Sequence, residues 1–594
     1  MIKKLLDLLT PPERKRAYQL LGMILVMSIL DMIGVASIMP FMAVLANPEL
    51  VETNAFLKTV YTKIGFSDPQ KFLFALGMLV FVLLVVSLAF KALTTYVQLR
   101  FTLMREYSIG KRLVEGYLHQ PYSWFLNRHS ADLGKTILSE VEKVIYSAVM
   151  PFMTLMAQGA VAIVLLTLLI LIEPQLALIV GLTLFTAYAL IFNASRAFLA
   201  RIGQERVAAN QKRFTAVSDA FSASKEVKVG GLEHVYIRRF AESAECYAQH
   251  QASEHVIREL PRYALEAIAF GGMLLVVLYL LAQSGSFTSA LPIIVLYAFA
   301  GYRLMPALQQ IYGAVTQLRF SGPALNALHA DLMNLQPAQS NPSQDAIALK
   351  QAITLNRIHY RYPNASQPAL KNLSLTIPAR STVGLVGTTG SGKTTAVDLI
   401  LGLLDAQEGK LEVDGQAIAG HNRRSWQRAV GYVPQQIFLC DDTVAANIAF
   451  GPEAKDIDQE AVERAAKIAN LHEFVMNELP QQYQTAVGER GVRLSGGQRQ
   501  RIGIARALYH NPQVLILDEA TSALDNLTEQ EVMEAVHNLG HEITIILIAH
   551  RLSTVKACDI IFLLEKGELK AQGTFEELIQ ASERFRTMAN GITL

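Results

Sequence analysis

The residues with the clearest chemical potential lie past the middle of the chain, where "GTTGSGKT" occupies positions 387–394. Glycines in such a run let backbone N–H groups close around phosphate oxygens, and the lysine adds a positive charge. An apolar stretch, Val383–Val386, precedes the run, so the loop should join a buried strand to a helix whose N-terminus attracts anions. The pattern predicts a nucleoside triphosphate site made of Gly387, Thr388, Thr389, Gly390, Ser391, Gly392, Lys393, Thr394 and Thr395.

A second group of candidate residues, the adjacent acids Asp518 and Glu519, follows the aliphatic run Val514–Leu517. A strand that ends there would bring Asp518 to a Mg²⁺ ion that Thr394 also binds, and would leave Glu519 to polarise the attacking water as general base. Two acids after four aliphatic residues could instead only cap a strand. Their position downstream of a phosphate loop favours Mg²⁺-dependent ATP hydrolysis.

The segment "LSGGQ" at 494–498 resembles the signature sequence of ATP-binding-cassette (ABC) proteins, and the cassette matches in order across roughly residues 350–580. The resemblance implies that Tyr362 in "HYRYPN" stacks on adenine, that Gln435 in "GYVPQQ" contacts Mg²⁺ and water, and that His550 in "LIAHR" holds the γ-phosphate. It also implies an exporter-type loop in "TAVGERG" (485–491) and a dimer contact in "SALD" (522–525). Cys440 stands where the family commonly has an aromatic residue, which we treat as a neutral departure.

The signature residues Ser495, Gly496, Gly497 and Gln498 have no phosphate to bind within their own cassette. If they bind ATP that a second cassette holds, two nucleotides lie enclosed at a two-fold interface. Because the chain carries one cassette and one membrane unit, a homodimer is expected.

The composition points to a membrane protein, since 51% of the residues are hydrophobic and 18% are charged, against about 25% charged in soluble domains. A hydrocarbon core needs about 20 apolar residues per crossing helix. Six runs of that kind occur, at Leu20–Ala46, Phe72–Val97, Val149–Ile172, Leu176–Ala197, Tyr263–Leu281 and Leu291–Val315. The net charge of +2 argues against a nucleic-acid partner, and three scattered cysteines form neither a disulfide framework nor a zinc motif.

Lysine and arginine are concentrated in the N-terminal segment and in the connections after the second and fourth runs. The positive-inside rule places those segments, both termini and the cassette in the cytoplasm, with the chain in the inner (plasma) membrane. The two basic connections are also helix-rich, which predicts that the spans continue well below the membrane.

The expected fold class is therefore a multi-domain membrane protein, with an all-α six-helix transmembrane domain followed by an α/β nucleotide-binding domain. We expect a cytoplasmic N-terminal elbow at 1–16, a transmembrane domain at 17–330, a linker at 331–349 and the cassette at 350–594. The order of the two domains resembles that of type IV ABC exporters. Within the membrane domain, 51–66 is expected to form an external helix, and 120–134 and 219–231 resemble coupling helices.

Two features bear on the cargo. The apolar residues of Val51–Phe66 recur at helical spacing, which predicts an amphipathic surface helix that either meets lipid or packs on the spans. Three cations, Lys91, Arg262 and Arg303, lie inside predicted spans, at depths of about 28, 30 and 18–22 Å from the outer ends at 1.5 Å per residue. Such charges are functional suspects, and one layer of three would suit an anionic group, although snorkelling or pairing of Arg262 with Glu266 is an alternative.

Segments around these cations, such as "LPRYALEAIAFGGMLLVV" and "AGYRLMPALQQIYGAV", resemble those of the bacterial lipid-linked oligosaccharide flippases of protein N-glycosylation. The resemblance implies that Lys91, Arg262 and Arg303 engage a pyrophosphate and that the external helix contacts a polyprenyl tail. Lys91 stands where arginine is expected, which keeps the charge but loses the bidentate geometry. The expected function is ATP-driven movement of a polyprenyl-pyrophosphate-linked oligosaccharide, and the alternative is export of another lipid, a drug or a peptide.

Overall fold

The computed structural model describes residues 1–48, 51, 55–64, 66, 68–284, 287–335, 346–363, 365–488, 491–520, 526–539, 542–549, 552 and 554–589. The chain divides into two compact units, one of Met1–Gln120 with Asn127–Ala338 and the other of Pro121–Leu126 with Gln339–Leu594. His550, the segment 522–525 and most of the predicted linker lie outside the described residues.

The first unit is helical. Its helices are α1 (Ile2–Asp7), α2 (Pro11–Ala36), α3 (Ile38–Ala46), α4 (Ala55–Ile64), α5 (Pro69–Leu118), then, after the short α6 (Tyr122–Phe125) that belongs to the second unit, α7 (Ser130–Lys135), α8 (Val141–Val144), α9 (Met150–Ile172), α10 (Pro174–Ser222), α11 (Ser224–Val229), α12 (Glu233–Ser284) and α13 (Phe287–Asn334). Two π-helical segments, Thr136–Glu140 and Ile145–Val149, flank α8. The two predicted coupling segments thus contain the short helices α6, α7 and α11.

Four helices of this part of the chain are about 50 residues long: α5 has 50, α10 has 49, α12 has 52 and α13 has 48. At about 1.5 Å per residue each extends roughly 70–80 Å, more than twice the hydrocarbon thickness of about 30 Å. The helices therefore continue well beyond a membrane, as the helix-rich basic connections predicted.

Among the described residues, four helical stretches are long and apolar enough to cross a membrane: Pro11–Ala46, Pro69–Leu118, Ala131–Ile172 and Ala177–Ser222. The fifth and sixth predicted spans fall on α12 and α13, where many outer side chains lie outside the described residues. Six spans therefore remain a prediction.

Proline and serine set the boundaries of these helices. Pro11, Pro69 and Pro174 each stand at a helix start, where the missing N–H has no acceptor to lose. The first predicted span, by contrast, is interrupted at Ser37, because Pro40 in α3 cannot donate to the carbonyl of Ala36. The Ser37 hydroxyl donates to the carbonyl of Gly34 at 2.8 Å.

The second unit is built on two sheets. The strands are β1 (Ala352–Tyr360), β2 (Leu370–Pro378), β3 (Thr382–Val386), β4 (Glu408–Val413), β5 (Gln416–Ala417), β6 (Val430–Val433), β7 (Val514–Asp518), β8 (Thr544–Ile548), β9 (Ile560–Glu565) and β10 (Glu568–Gly573). The smaller sheet is antiparallel in the order β2-β1-β4-β5, and the larger has the order β10-β9-β3-β8-β7-β6, with only the β10 pairing antiparallel. Its helices are α14 (Lys393–Ile400), α15 (Arg423–Gln427), α16 (Val444–Ala449), α17 (Gln459–Ile468), α18 (His472–Glu478), α19 (Gly496–Leu508), α20 (Asn526–Leu539), α21 (Phe575–Ala581) and α22 (Glu583–Ala589).

The larger sheet is covered on both faces, which explains its continuous apolar strands. Along β7, Val514 and Ile516 pack into a core shared with the smaller sheet and α14, whereas Leu515 and Leu517 pack into the helical core on the other face. Every residue of β3, β7 and β8 is buried. The aliphatic run before Asp518 is thus an interior strand, and Asp518 lies at its carboxyl end.

Candidate functional site

The strand register brings the phosphate loop and the acids together at the carboxyl ends of the parallel strands in the larger sheet. Leu385 of β3 and Asp518 of β7 both pair with Ile548 of β8, from opposite sides. At about 4.8 Å between strands, the two strand ends lie roughly 10 Å apart. The loop that starts at Gly387 and the carboxylates of Asp518 and Glu519 therefore share one site, and β8 between them ends two residues before His550.

Glycine is required in the phosphate loop for steric reasons. Gly387, Gly390 and Gly392 have φ values of 153°, 77° and 101°, where side chains are strained. A Cβ on Gly387 would lie 2.2 Å from the carbonyl oxygen of Leu564, and one on Gly392 would lie 2.8 Å from that of Ala369. A Cβ on Gly390, by contrast, would have no atom beyond its chain neighbours within 4 Å, so the loop is tightly packed at Gly387 and Gly392 and open at Gly390.

Lys393 begins α14 with a buried side chain, and its ammonium donates to the carbonyls of Gly387 at 2.8 Å and Thr388 at 3.2 Å. Burial lowers the pKa of Lys393, and the nearby Glu519 and Asp518 act in the opposite direction. The buried Ser391 hydroxyl has no hydrogen-bond partner in the described part of the chain. A buried donor without a partner is costly, and a phosphate oxygen would satisfy it.

Gln435 and Glu519 are in direct contact, because the Gln435 amide donates to the Glu519 carboxylate at 2.8 Å. Glu519 itself has a φ of 49°, an uncommon conformation for a residue with a side chain, of the kind that clusters at functional sites. Asp518 is buried at the end of β7, and the hydroxyl of Tyr432 lies 3.5 Å from its carboxylate. The Gln435 amide thus binds Glu519, and the Tyr432 hydroxyl lies beside Asp518.

Tyr362 is joined to the phosphate loop by a hydrogen bond of 3.1 Å between its hydroxyl and that of Thr395. Thr395 is buried, whereas Thr394 is exposed. The structure therefore separates the two threonines: Thr394 is available to a ligand, and Thr395 holds the predicted adenine-stacking ring.

The predicted Mg²⁺ ligands fit that metal. Thr394, Gln435 and Asp518 offer one hydroxyl, one amide and one carboxylate oxygen, and Mg²⁺ is typically held by few protein oxygens together with phosphates and water. Among the described residues no group of three or more His, Cys, Asp or Glu side chains could hold a metal ion.

The signature residues form a helix start. Ser495 is exposed and caps α19: its hydroxyl accepts from the Gln498 N–H at 3.2 Å, while the Gln498 side chain accepts from the Ser495 N–H at 2.8 Å. Gly496 and Gly497 fill the first turn, where free N–H groups and the helix dipole favour an anion. Gln498 is thus used in the cap, and the exposed helix end can meet a phosphate from another chain.

Comparison with known families identifies both parts of the chain. Residues 370–522 match the ABC transporter family model, and residues 23–311 match the ABC transporter transmembrane region model. The chain is an ABC transporter. It is a half-transporter with fused transmembrane and ATP-binding domains, and it couples ATP use to translocation.

Curated relatives are similar along most of the transporter. The chain is 32% identical to an ATP-dependent lipid A-core flippase of Cupriavidus pinatubonensis over 79% of its own length and 80% of the relative's. It is 29% identical to an ATP-dependent lipid A-core flippase of Haemophilus influenzae over 81% of both. Among solved structures, a bacterial Atm1-family ABC exporter with ATP bound superposes with a TM-score of 0.78 at 24% identity, covering 98% of both chains, which shows the fold.

In the membrane unit the structure brings two of the three predicted cations together around an acid. Asp31 of α2 lies 3.6 Å from the Lys91 ammonium of α5 and 3.1 Å from the Arg303 guanidinium of α13. The Ser87 hydroxyl donates to the same carboxylate at 2.8 Å. Lys91 and Arg303 therefore lie in one layer, as predicted, but both are paired.

Arg262 lies elsewhere. Its guanidinium donates to Glu266 of the same helix at 2.7 Å, and Glu266 also accepts from Gln309 of α13 at 3.5 Å. Gln309 lies six residues after Arg303 along α13, and Arg262 lies four residues before Glu266 along α12. Because the two helices meet at Glu266 and Gln309, Arg262 is displaced from the level of Arg303 by about 15 Å at 1.5 Å per residue. The alternative pairing with Glu266 is present, and the three cations do not form one layer.

The helix predicted at 51–66 is present as α4. Leu57, Val60 and Tyr61 pack with Val44 and Phe72 of the first two predicted spans, and the rings of Tyr61 and Phe72 meet edge to face at 5.3 Å. These three apolar side chains of α4 therefore pack on the spans, which is the packing alternative.

Asp31 is the residue that sequence reasoning missed. The signal was available, because an acid inside the apolar run Leu20–Ala46 is as expensive as a cation and is a functional suspect for the same reason. A search for intramembrane charges of both signs would have found it.

Proposed function

We propose that the transporter moves a phosphorylated, lipid-linked glycan from the inner to the outer leaflet, and that a polyprenyl-pyrophosphate-linked oligosaccharide is its first candidate cargo. The observation that carries this proposal is the charge cluster of α2, α5 and α13. Lys91 and Arg303 contribute two positive charges and Asp31 contributes one negative charge, so one positive charge remains. An uncompensated cation inside a span favours an anionic group as ligand.

A lipid A-core glycolipid is the second candidate, and the names of the curated relatives favour it. Both lipids combine phosphate, sugar and hydrocarbon, so the same cation cluster suits either. They differ in the tail: one has a single long polyprenyl chain and the other has several acyl chains.

We infer that the working unit is a homodimer in the inner (plasma) membrane, with the cassettes and both termini in the cytoplasm. The exposed N-terminus of α19 supports this, because the hydrogen bonds of Ser495 stay within its own helix and leave the first-turn N–H groups available to a second chain. The distribution of lysine and arginine supports the orientation.

For ATP hydrolysis, the contact between Gln435 and Glu519 supports Glu519 as general base, with Gln435 orienting it and the water. The family resemblance adds His550 at the γ-phosphate. Lys393 and the glycine loop neutralise and position the phosphates. Mg²⁺ held by Thr394, Gln435 and Asp518 would supply charge neutralisation between the phosphates.

The experiment is translocation in sealed proteoliposomes with three fluorescent cargoes: polyprenyl-pyrophosphate oligosaccharide, lipid A-core and an uncharged polyprenyl glycoside. We expect ATP-dependent flipping of the first, with loss of at least about ten-fold in Arg303→Gln, since a charge contact is removed. Arg201→Gln, the same replacement at an exposed arginine paired with Glu205, is the matched control. Flipping of lipid A-core alone would select the second candidate, and flipping of the uncharged glycoside at the same rate would refute the role of charge.

A further inference from the structure

Asp31 is the most deeply buried member of the charge cluster. Its side chain is 1% exposed, whereas those of Arg303 and Lys91 are 16% and 33% exposed. A molecule that approaches the cluster from its accessible side therefore meets the two cations first, with the carboxylate behind them.

The carboxylate is held unequally by its partners. One oxygen accepts from Ser87 at 2.8 Å and from Arg303 at 3.1 Å, while the other faces Lys91 at 3.6 Å and has no hydrogen-bond partner among the described residues. The Lys91 side of the cluster is thus an ion pair without a close hydrogen bond. It is the contact that a competing anion could replace at the smallest cost.

Two of the three helices that meet here, α2 and α5, do so at close range. A Cβ on Gly34 of α2 would lie 3.3 Å from the Leu84 side chain of α5, so the absence of a side chain at Gly34 lets Asp31 approach Ser87 and Lys91. The acid reaches two cations on separate helices. An empty site therefore contains one uncompensated charge rather than two, which lowers the cost of holding cations in a span.

We propose that Asp31 is a resident counter-ion that pairs with Lys91 and Arg303 until the anionic group of a lipid cargo takes its place. This inference rests on the proposed function and adds to it a residue that sets the affinity for the cargo. A phosphate or pyrophosphate can take the place of the Asp31 carboxylate beside the two cations, whereas an uncharged lipid cannot. Asp31 then lowers the affinity for every anionic cargo and leaves the affinity for neutral lipids unchanged.

The test uses Asp31→Asn in the full-length transporter, because asparagine keeps the shape and one acceptor but removes the competing charge. The first readout is the half-maximal concentration at which polyprenyl pyrophosphate, lipid A or uncharged polyprenol stimulates ATP hydrolysis in nanodiscs. We expect the value for the anionic lipids to fall roughly 3- to 30-fold and the value for polyprenol to stay unchanged. Ser87→Ala, which weakens the hold on Asp31 without changing charge, should shift it in the same direction by less.

The second readout needs no cargo. Lys91 is labelled with an amine-reactive reagent, and the labelling is measured by mass spectrometry. Inorganic pyrophosphate should protect Lys91 from the reagent at a lower concentration in Asp31→Asn than in the natural chain. Glu115→Gln, the same charge change in an exposed pair with Lys111, is the matched control and should leave both readouts unchanged.

The outcomes separate the two proposals. If polyprenyl pyrophosphate stimulates neither protein while pyrophosphate still protects Lys91 more readily in Asp31→Asn, the proposed cargo is wrong and the counter-ion stands. The counter-ion proposal is overturned if Asp31→Asn shifts neither readout, if it weakens the response to all lipids alike, or if Ser87→Ala and Asp31→Asn only lower the unfolding temperature.

Discussion

Glu519 lies at the end of a buried strand with its carboxylate bound to the Gln435 amide at 2.8 Å. Replacing it with glutamine removes the base but keeps the size of the side chain. We expect Glu519→Gln to bind ATP normally and to turn over roughly 10²–10⁴-fold more slowly. Steady-state hydrolysis and ATP binding of the purified transporter check this, with Glu568→Gln on the surface pair with Lys570 as control. Hydrolysis near the natural rate would remove Glu519 from this role.

Replacing Lys393 should affect ATP binding rather than turnover alone, because its ammonium lies among the loop carbonyls where phosphates would bind. Lys393→Ala should weaken ATP binding itself, by roughly ten-fold or more, since it deletes a charge-assisted contact. Equilibrium binding of a fluorescent ATP analogue measures the change. Unaltered affinity combined with lost turnover would show that the lysine acts only in the chemical step.

Asp398 of α14 provides a pH-dependent prediction, because burial, with a smaller contribution from Asp518, raises its pKa to about 6. The folded state therefore favours the protonated acid, and this stabilisation is complete below about pH 4 and lost as the pH rises through 6. Asp398→Asn should remove that dependence and raise stability at pH 8 by roughly 1–3 kcal/mol. Unfolding temperatures at pH 5 and pH 8, without nucleotide or metal, test it, with the exposed Asp441→Asn as control. Parallel pH curves for the natural chain and the variant would contradict the prediction.

At the scale of elements, the long helices of the membrane unit depend on close backbone approach. A Cβ on Gly203 of α10 would lie 2.2 Å from the carbonyl oxygen of Phe320 in α13, whereas one on Gly181 of the same helix would meet nothing within 4 Å. Because a backbone atom cannot move aside alone, Gly203→Ala should separate the two helices and destabilise the protein by about 1–3 kcal/mol.

Gly181→Ala is the matched control for this helix pair. Alanine has the higher helix propensity, by about 1 kcal/mol, so the control should be neutral or slightly stabilising. Thermal unfolding of the two full-length variants in the same detergent compares them directly. Equal unfolding temperatures would mean that the crossing of α10 and α13 tolerates a methyl group.

At the scale of the whole molecule, the prediction concerns sharing of the hydrolysis sites between two chains. Lys393→Ala damages a phosphate loop, and Gly497→Asp places a negative charge where a signature helix should meet phosphate. Each variant alone should be inactive. In a heterodimer purified through two different tags, sharing between chains puts both lesions at one site and leaves the other intact.

The heterodimer should therefore trap about one nucleotide per dimer with vanadate, because one of the two sites of a symmetric dimer remains intact. Sites contained within single chains would instead both be damaged and trap none. Nucleotide trapping is a more decisive measurement than turnover. A dimer with one intact site can trap a nucleotide even if steady-state turnover requires both sites.

The nucleotide site could be anticipated from the sequence because its geometry is local. A phosphate loop needs glycines and a lysine at fixed spacing, and a buried parallel strand needs an aliphatic run, so the pattern already contains the strand, the loop and the helix start. The strand register then places Gly387 and Asp518 close together at the carboxyl ends of parallel strands. The motifs had predicted that the phosphate loop and the acids share one site.

Only the tertiary structure decided the environment of the membrane charges. Hydropathy places Lys91 and Arg303 within apolar runs and Arg262 at the start of one. It does not give the rotation of each helix or its register against its neighbours, so it did not show that Arg262 lies at a different level. The pairing of Asp31 with Lys91 and Arg303 joins three helices that are distant in sequence, and the packing of Leu57, Val60 and Tyr61 in α4 depends on Phe72 of another element. An apolar residue in a helix is buried, and a charged one is paired, by whichever neighbouring element packs against it. The packing of helices that are distant in sequence cannot be read from a local residue pattern.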